Sequence, residues 1–228
     1  MTIKFRFVCA SRVSRQDFSA NTALGRSLSL YRSPFVELSL FDNNRVGLPV
    51  LYNSAIRAAS ADPAVLIFVH DDIYICDFFW HIHLMRGLKL FDIIGLAGNR
   101  RRLPGQPAWC LVDDALNWDS PANLSGIVAH GNGFPPAGVN EYGPTGQEVK
   151  LLDGLFIAAR SELLLSRNIL FDEDFDFHFY DMDFCRQAEA RQLRMGTWTI
   201  SVIHESSGHF GSQPWCQGYQ KYLRKWKS

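Results

Sequence analysis

The run Ala64-Val65-Leu66-Ile67-Phe68-Val69 constrains this chain more than any other stretch. It is continuously apolar and rich in β-branched residues. Asp62-Pro63 bounds it on one side and His70-Asp71-Asp72 on the other, as expected of a strand buried on both faces of a parallel sheet. A strand of that kind needs helices above and below it. Its carboxyl end must then carry the acidic pair out of the core.

Neighbouring segments predict the rest of such a sheet. Phe5 to Cys9 and Phe35 to Leu40 read as short strands, each followed by polar residues. Leu51 to Ala59 has helical spacing. Asp77 can cap a helix running to about Leu88, and Phe91 to Ala97 reads as one further buried strand. From Asn99 to about Gly146 the pattern dissolves into Pro, Gly and Asn, with Trp109, Trp118, Phe134 and Tyr142 scattered through it and one strand near Leu124 to Ala129. That stretch is too long for an idle connection and reads as the variable part of the molecule, the part that would face a substrate. Order returns at Glu148 to Ala159, followed by helices from Ser161 and over Tyr180 to Gln192. A strand at Thr197 to Ile203 and an amphipathic segment from Pro214 to Trp226 complete the chain. Alternating strands and helices predict an α/β fold with a mostly parallel central sheet flanked by helices, whose ligands bind beyond the carboxyl ends of the strands. A length of 228 residues suits one domain, 1–228.

Charge narrows the partners. Lysine plus arginine balance aspartate plus glutamate at 23 each, and only Arg100-Arg101-Arg102 cluster, so no nucleic-acid footprint is visible. Cys9, Cys76, Cys110, Cys185 and Cys216 are odd in number, widely spaced and without a CxxC pair, which suits a reducing cytoplasmic setting better than a disulfide framework. Met1 to Arg6 lacks the apolar core of a signal peptide, and no apolar run approaches the roughly 20 residues that span a bilayer. Any contact with a membrane would be peripheral.

The chemistry-bearing residues fall at strand ends. Asp71 beside Asp72 is costly unless something positive lies near, and a hard cation such as Mn2+ or Mg2+, or a lysine, would relieve it. A solvated turn or helix cap would also account for an isolated pair; the buried strand in front of it is what brings the metal reading level. Asp181 and Asp183 open a helix among Phe177, Phe179, Tyr180 and Phe184. Capping explains one of them more easily than both, and a desolvated carboxylate suits general-base work. His204 closes a strand and His209 follows five residues later, with His204 the better ligand candidate. The arginine run could face a pyrophosphate, although such runs are usually solvated.

The order of Tyr52-Asn53-Ser54-Ala55-Ile56, Leu66 to Ile73 with its His70-Asp71-Asp72, Leu152-Asp153-Gly154 through Arg160, Phe171-Asp172, Tyr180 to Cys185, and His204 resembles family 2 glycosyltransferases of the GT-A fold, and within them the StrF-type subgroup. The resemblance spans about Lys4 to Trp226. It implies a nucleoside-diphosphate sugar as donor, and a glycan, lipid-linked or small-molecule acceptor. It further implies that Ala10 and Ser11 touch the nucleotide and that Asn53 borders its pocket. Asp71 would lie near the ribose or the metal's waters, Asp72 and His204 would hold the metal, and Asp153 and Gly154 would flank donor sugar and acceptor. Asp181 would be the base of an inverting displacement. His70 stands where many members have an acidic residue, and Tyr180 where the usual neighbour is Glu.

Three other readings compete. A sugar-1-phosphate nucleotidyltransferase would carry a Gly-rich loop after the first strand, where this chain has Cys9-Ala10-Ser11-Arg12-Val13-Ser14. A carbohydrate-binding or nucleotide-binding module without turnover could keep the same fold, although Asp72, Asp181 and His204 together speak for an intact site. A metal-dependent hydrolase would need a fuller set of His and Asp ligands at recognisable spacing.

Overall fold

The computed structural model describes residues 3–31, 33–206 and 210–227. The chain opens with β1 (Phe5–Ala10), α1 (Arg15–Asn21), α2 (Ala23–Leu28), β2 (Val36–Phe41), α3 (Leu48–Ala58), β3 (Val65–Val69) and β4 (Ile73–Ile75). It continues through α4 (Trp80–Leu90), β5 (Ile93–Gly95), β6 (Ala97–Asn99), β7 (Leu124–His130), β8 (Gly138–Gly143), β9 (Glu148–Val149) and β10 (Leu151–Leu152). The last elements are β11 (Phe156–Arg160), α5 (Ser161–Ser166), α6 (Tyr180–Ala190), β12 (Met195–Thr197), β13 (Val202–His204) and α7 (Gln213–Trp226).

These strands form two sheets. The first has the order β2-β1-β3-β11-β5-β12-β9, and the second β10-β6-β7-β13-β4 with β8 also on β7. Every residue of β3 is buried, as a strand between β1 and β11 must be. The expectation of a mostly parallel sheet is corrected: β1, β2 and β3 run parallel, as do β5 and β12, but β11 is antiparallel to both its neighbours and β9 to β12. The reason is topological. β11 follows the long excursion 99–152 and enters the sheet from the opposite end, needing no crossover helix.

Two predicted strands prove to be pairs. Phe91 to Ala97 divides at Leu96 into β5 in the first sheet and β6 in the second, and Thr197 to Ile203 divides between β12 and β13 in the same way. Asp77 is not the N-cap of α4, a place taken by Phe79, which offers no side-chain cap; the Asp77 carboxylate accepts from the Phe79 N–H at 2.8 Å and meets His83 Nδ1 at 2.5 Å. The chain passes between the two sheets at β3–β4, β4–β5, β5–β6, β8–β9, β9–β10, β10–β11 and β12–β13. His70, Asp71 and Asp72 lie at the first of these passages and Asp153 and Gly154 at that between β10 and β11. The C-terminal aromatics pack on their own chain: Phe179 lies against Trp215, Tyr219 and Tyr222 at 5.4, 5.6 and 5.5 Å between ring centres.

Candidate active site

Where β3 ends, three different elements hold the backbone of His70-Asp71-Asp72. The His70 N–H donates to Leu155 O (3.2 Å), the Leu24 N–H to Asp71 O (3.0 Å) and the Glu205 N–H to Asp72 O (2.9 Å). Antiparallel pairing of β13 with β4 sets His204 opposite Ile73, which brings His204 Nε2 to 3.4 Å from Asp72 Oδ2. One potential ligand atom each from His70, Asp72 and His204 lie within 4.8 Å of one another. His209 lies outside the described residues.

The other oxygen, Asp72 Oδ1, is buried and has no hydrogen-bond partner among the described residues. An acceptor left in that condition costs about 1–3 kcal/mol, more when charged. Among the described residues no lysine or arginine pairs with Asp71 or Asp72, so a lysine does not relieve the acidic pair. Two imidazoles and a carboxylate with an idle oxygen fit a divalent cation such as Mn2+ or Mg2+. Burial raises the Asp72 carboxyl, but the His204 contact and the nearby His70 outweigh it and hold Asp72 below its ordinary value. His204 is lowered by burial and lifted further by Asp72, for a net rise, whereas burial brings His70 down.

Beside this cluster is a cleft of about 90 Å3 lined by Ala10, Leu48, Tyr52, His70, Asp71, Asp72 and Phe177. Ser11 Oγ donates to Asp71 Oδ2 at 2.5 Å, and the Phe177 ring stacks on His70 at 5.4 Å. Burial raises Asp71 against the pull of Ser11. Asn53 stands behind the cleft. Its amide accepts from the Phe171 N–H and donates to Phe171 O and Glu173 Oε1, all at 2.8 Å, so it fastens the segment after α5 to α3 while Tyr52 and Leu48 from the same helix face the opening. A larger cleft of about 430 Å3, lined by Arg100, Arg101, Asn123, Glu148, Val149 and Lys150, contains none of the acidic or histidine candidates. Much of the arginine run is already engaged, Arg101 with Asp119 and Arg102 with Glu189.

The third group is assembled across α6 and the β10–β11 turn. Phe179 precedes α6 at φ 67°, a left-handed conformation that a bulky residue adopts only when its surroundings enforce it, and its packing on α7 supplies that force. Asp181 consequently faces Asp153-Gly154: its Oδ2 accepts from the Gly154 N–H at 2.9 Å and its Oδ1 from the Met182 N–H at 2.8 Å. A Cβ at Gly154 would collide with the Tyr180 hydroxyl, so only glycine lets α6 come this close. Burial, then the Asp153 charge, pushes Asp181 up to about 7. Asp153 is itself held by the Trp109 indole N–H at 2.8 Å and the Leu155 N–H at 3.0 Å. Asp183 points away from this site into bonds with Lys225 (2.6 Å), Trp226 Nε1 (2.8 Å) and Gln187 (2.7 Å). Neither aspartate is the N-cap of α6, which is Phe179, although Asp181 takes up one free N–H of the first turn through Met182.

Three side chains without an assigned role in the sequence also border the site. Tyr180 Oη joins His70 Nε2 (2.9 Å) to Gly154 O (2.8 Å). Trp109 reaches Asp153. His130 sits opposite His204 through the parallel β7–β13 pairing, with 5.7 Å between rings. No local spacing announces these contacts, because each depends on a pairing between distant segments.

The fold is GT-A-like, as its likeness to solved glycosyltransferase structures shows. The sequence profile of the glycosyltransferase like family matches residues 44–226, well over half the chain, and the chain belongs to that family. Among solved structures, S. aureus TarS 1–349 is similar at a TM-score of 0.53 and 14% identity, over 89% of this chain and 60% of that one. GalNAc-T7 with UDP, GalNAc and Mn2+ is similar at a TM-score of 0.52 and 12% identity, over 97% of this chain and 48% of that one. The chain thus spans about half to three-fifths of those proteins. No curated protein matches the sequence. No helix among the described residues is long and apolar enough to cross a membrane.

Proposed function

We propose that this chain is a divalent-metal-dependent, inverting glycosyltransferase that moves a sugar from a nucleoside diphosphate to an acceptor hydroxyl, within the StrF-type subgroup. The observation that carries the reading is the idle, buried Asp72 Oδ1 inside the His70–Asp72–His204 cluster. Ala10, Ser11 and Asp71 take the nucleoside side of the donor in the adjoining cleft. Asp72 and His204, with His70, would hold Mn2+ or Mg2+, which when bound supplies positive charge for the departing diphosphate. The Mn2+ and UDP bound by GalNAc-T7, a protein of like fold, support the same pairing here.

Asp181 performs the proton transfer. Its carboxylate takes the proton of an acceptor hydroxyl held beside Asp153 and Gly154, and the oxygen forms a bond to the anomeric carbon. The bond from that carbon to the diphosphate oxygen breaks on the opposite face, and the nucleoside diphosphate leaves with the electron pair. A single displacement inverts the anomeric centre. The surrounding aromatics exclude water that would otherwise compete for the sugar.

Calorimetric titration with UDP, GDP, CDP and dTDP, each with and without Mn2+, tests the donor site. One nucleotide should bind only with Mn2+, and Asp72→Ala should weaken it by about tenfold or more, the scale of a disrupted metal shell. Absence of binding by all four to folded protein would overturn the transferase reading in favour of a carbohydrate-binding module without turnover.

A further inference from the structure

The segment 99–146 carries an aromatic tier that the donor site does not use. The Trp118 and Tyr142 rings lie parallel, 11° apart, with centres 5.9 Å from each other. Trp109 stands edge-on to both, at 6.4 Å from Trp118 and 5.0 Å from Tyr142. Trp109 is buried, whereas Trp118 is 55% exposed. The tier therefore runs from the protein interior to solvent.

Its inner end meets the reacting groups at two points. Trp109 donates to Asp153, the neighbour that helps hold the proton on Asp181. Tyr142 Oη lies 3.4 Å from His130 Nε2, and the His130 ring faces His204. The tier shares no residue with the cleft at Ala10, Asp71 and Phe177.

The backbone beside Trp118 is firmly tied. The next residue, Asp119, is buried and accepts from Arg101 Nη2 (2.6 Å), Asn99 Nδ2 (2.9 Å), Asn123 Nδ2 (2.9 Å) and its neighbour's N–H, while its own N–H donates to Cys110 O at 2.8 Å. The indole rests on Tyr142 and Trp109 and leaves more than half of its surface in water. A ligand with a flat apolar face would gain from it.

We infer that Trp118 and Tyr142 form a stacking platform for a sugar ring of the acceptor, so that the acceptor is a saccharide or glycoconjugate. A pyranose suits both parts of this surface: its C–H face covers aromatic rings, and its hydroxyl edge meets the polar groups at the inner end, Asp153, His130 and the Tyr142 hydroxyl. The inference rests on the transferase reading for the word acceptor, and on the rings alone for the sugar.

The test is saturation-transfer NMR and titration with the methyl β-glycosides of glucose, galactose and N-acetylglucosamine. The proteins are wild type, Trp118→Ala and Trp118→Phe, each also titrated with the four nucleoside diphosphates and Mn2+. At least one glycoside should bind wild type, bind Trp118→Ala about tenfold or more weakly, as loss of a buried apolar contact would give, and recover in part with Trp118→Phe. Nucleotide binding should be the same in all three proteins. Failure of every glycoside to bind wild type, or equal binding to Trp118→Ala, overturns the platform while leaving the donor site intact if a nucleotide still binds. Displacement of the glycoside by a nucleoside-diphosphate glucose, but not by the bare nucleotide, assigns the rings to the donor and also overturns it. Trp118-dependent glycoside binding with no nucleotide bound keeps the platform and removes the transferase reading.

Discussion

Asp72 and Asp181 are both half-buried aspartates at the edge of the same site, and their environments drive them in opposite directions. Asp72 sits between two imidazoles and is held in its charged form. Asp181 has no cation in contact among the described residues; it receives only two backbone N–H groups, and burial with Asp153 pushes it up to about 7. On the proposed reading, one carboxylate keeps a cation and the other exchanges a proton near neutral pH. The contrast separates binding from chemistry within one residue type, and it yields a direct attack on the assignment. Asp181→Asn should lower kcat by about a thousandfold, within the range for loss of a general base, and leave Mn2+-dependent nucleotide binding as it is. Loss of nucleotide binding in that variant would mean that the two carboxylates are not separate devices.

The same contrast predicts how stability changes with pH. In the unfolded chain an aspartate gives up its proton near 3.8, while folded Asp181 keeps it to about 7. Between those values the unfolded state binds fewer protons, so this group makes stability fall as pH rises. Asp181→Asn has no such proton. Its stability relative to wild type should therefore improve by up to about 4 kcal/mol between pH 4 and pH 8, measured as the difference between two denaturant curves at each pH. In kinetics, kcat/KM of wild type should rise to a plateau above about pH 7. A stability difference that is flat with pH would show that Asp181 ionises like an ordinary surface carboxylate.

Much of the fold was legible because its strongest signals are local. The apolar run ending at Val69 and the pair Asp71-Asp72 follow one another in sequence, so the strand and its acidic end could be read together. The passages between sheets could not. Leu96 is as buried as its neighbours, and nothing in Phe91 to Ala97 marks where the chain leaves β5 for β6. His204 was legible as a strand-end histidine, but its approach to Asp72 depends on the β4–β13 pairing, and β4 is too short to stand out. Asn53 shows the complementary difficulty. A polar residue on a helix bordering the site reads as a ligand, but its bonds to the Phe171 backbone and to Glu173 join segments too far apart to be read together. Asp181 and Asp183 are alike in sequence, and only the turn at Phe179 and the docking of α7 send one to the site and the other to Lys225.

The smallest effect concerns the residue that ties the two aspartates' neighbourhoods together. Tyr180 Oη has a single proton, and it donates that proton to Gly154 O. Its contact with His70 at 2.9 Å must then be a bond donated by His70 Nε2. That fixes the His70 tautomer, with the lone pair on Nδ1 free for a cation, an outer-shell arrangement typical of metal-bound histidine. Tyr180→Phe keeps the ring and removes the hydroxyl, so His70 loses its orienting partner and Gly154 O loses a donor. Mn2+ should then support nucleotide binding with an apparent affinity weaker by about tenfold, with folding stability reduced by about 1–3 kcal/mol for the polar groups left unpaired. Manganese titrations at saturating nucleotide, with a melting curve beside them, separate these effects. A variant that melts earlier but binds Mn2+ as wild type does would make Tyr180 a packing residue and leave His70 out of the metal shell.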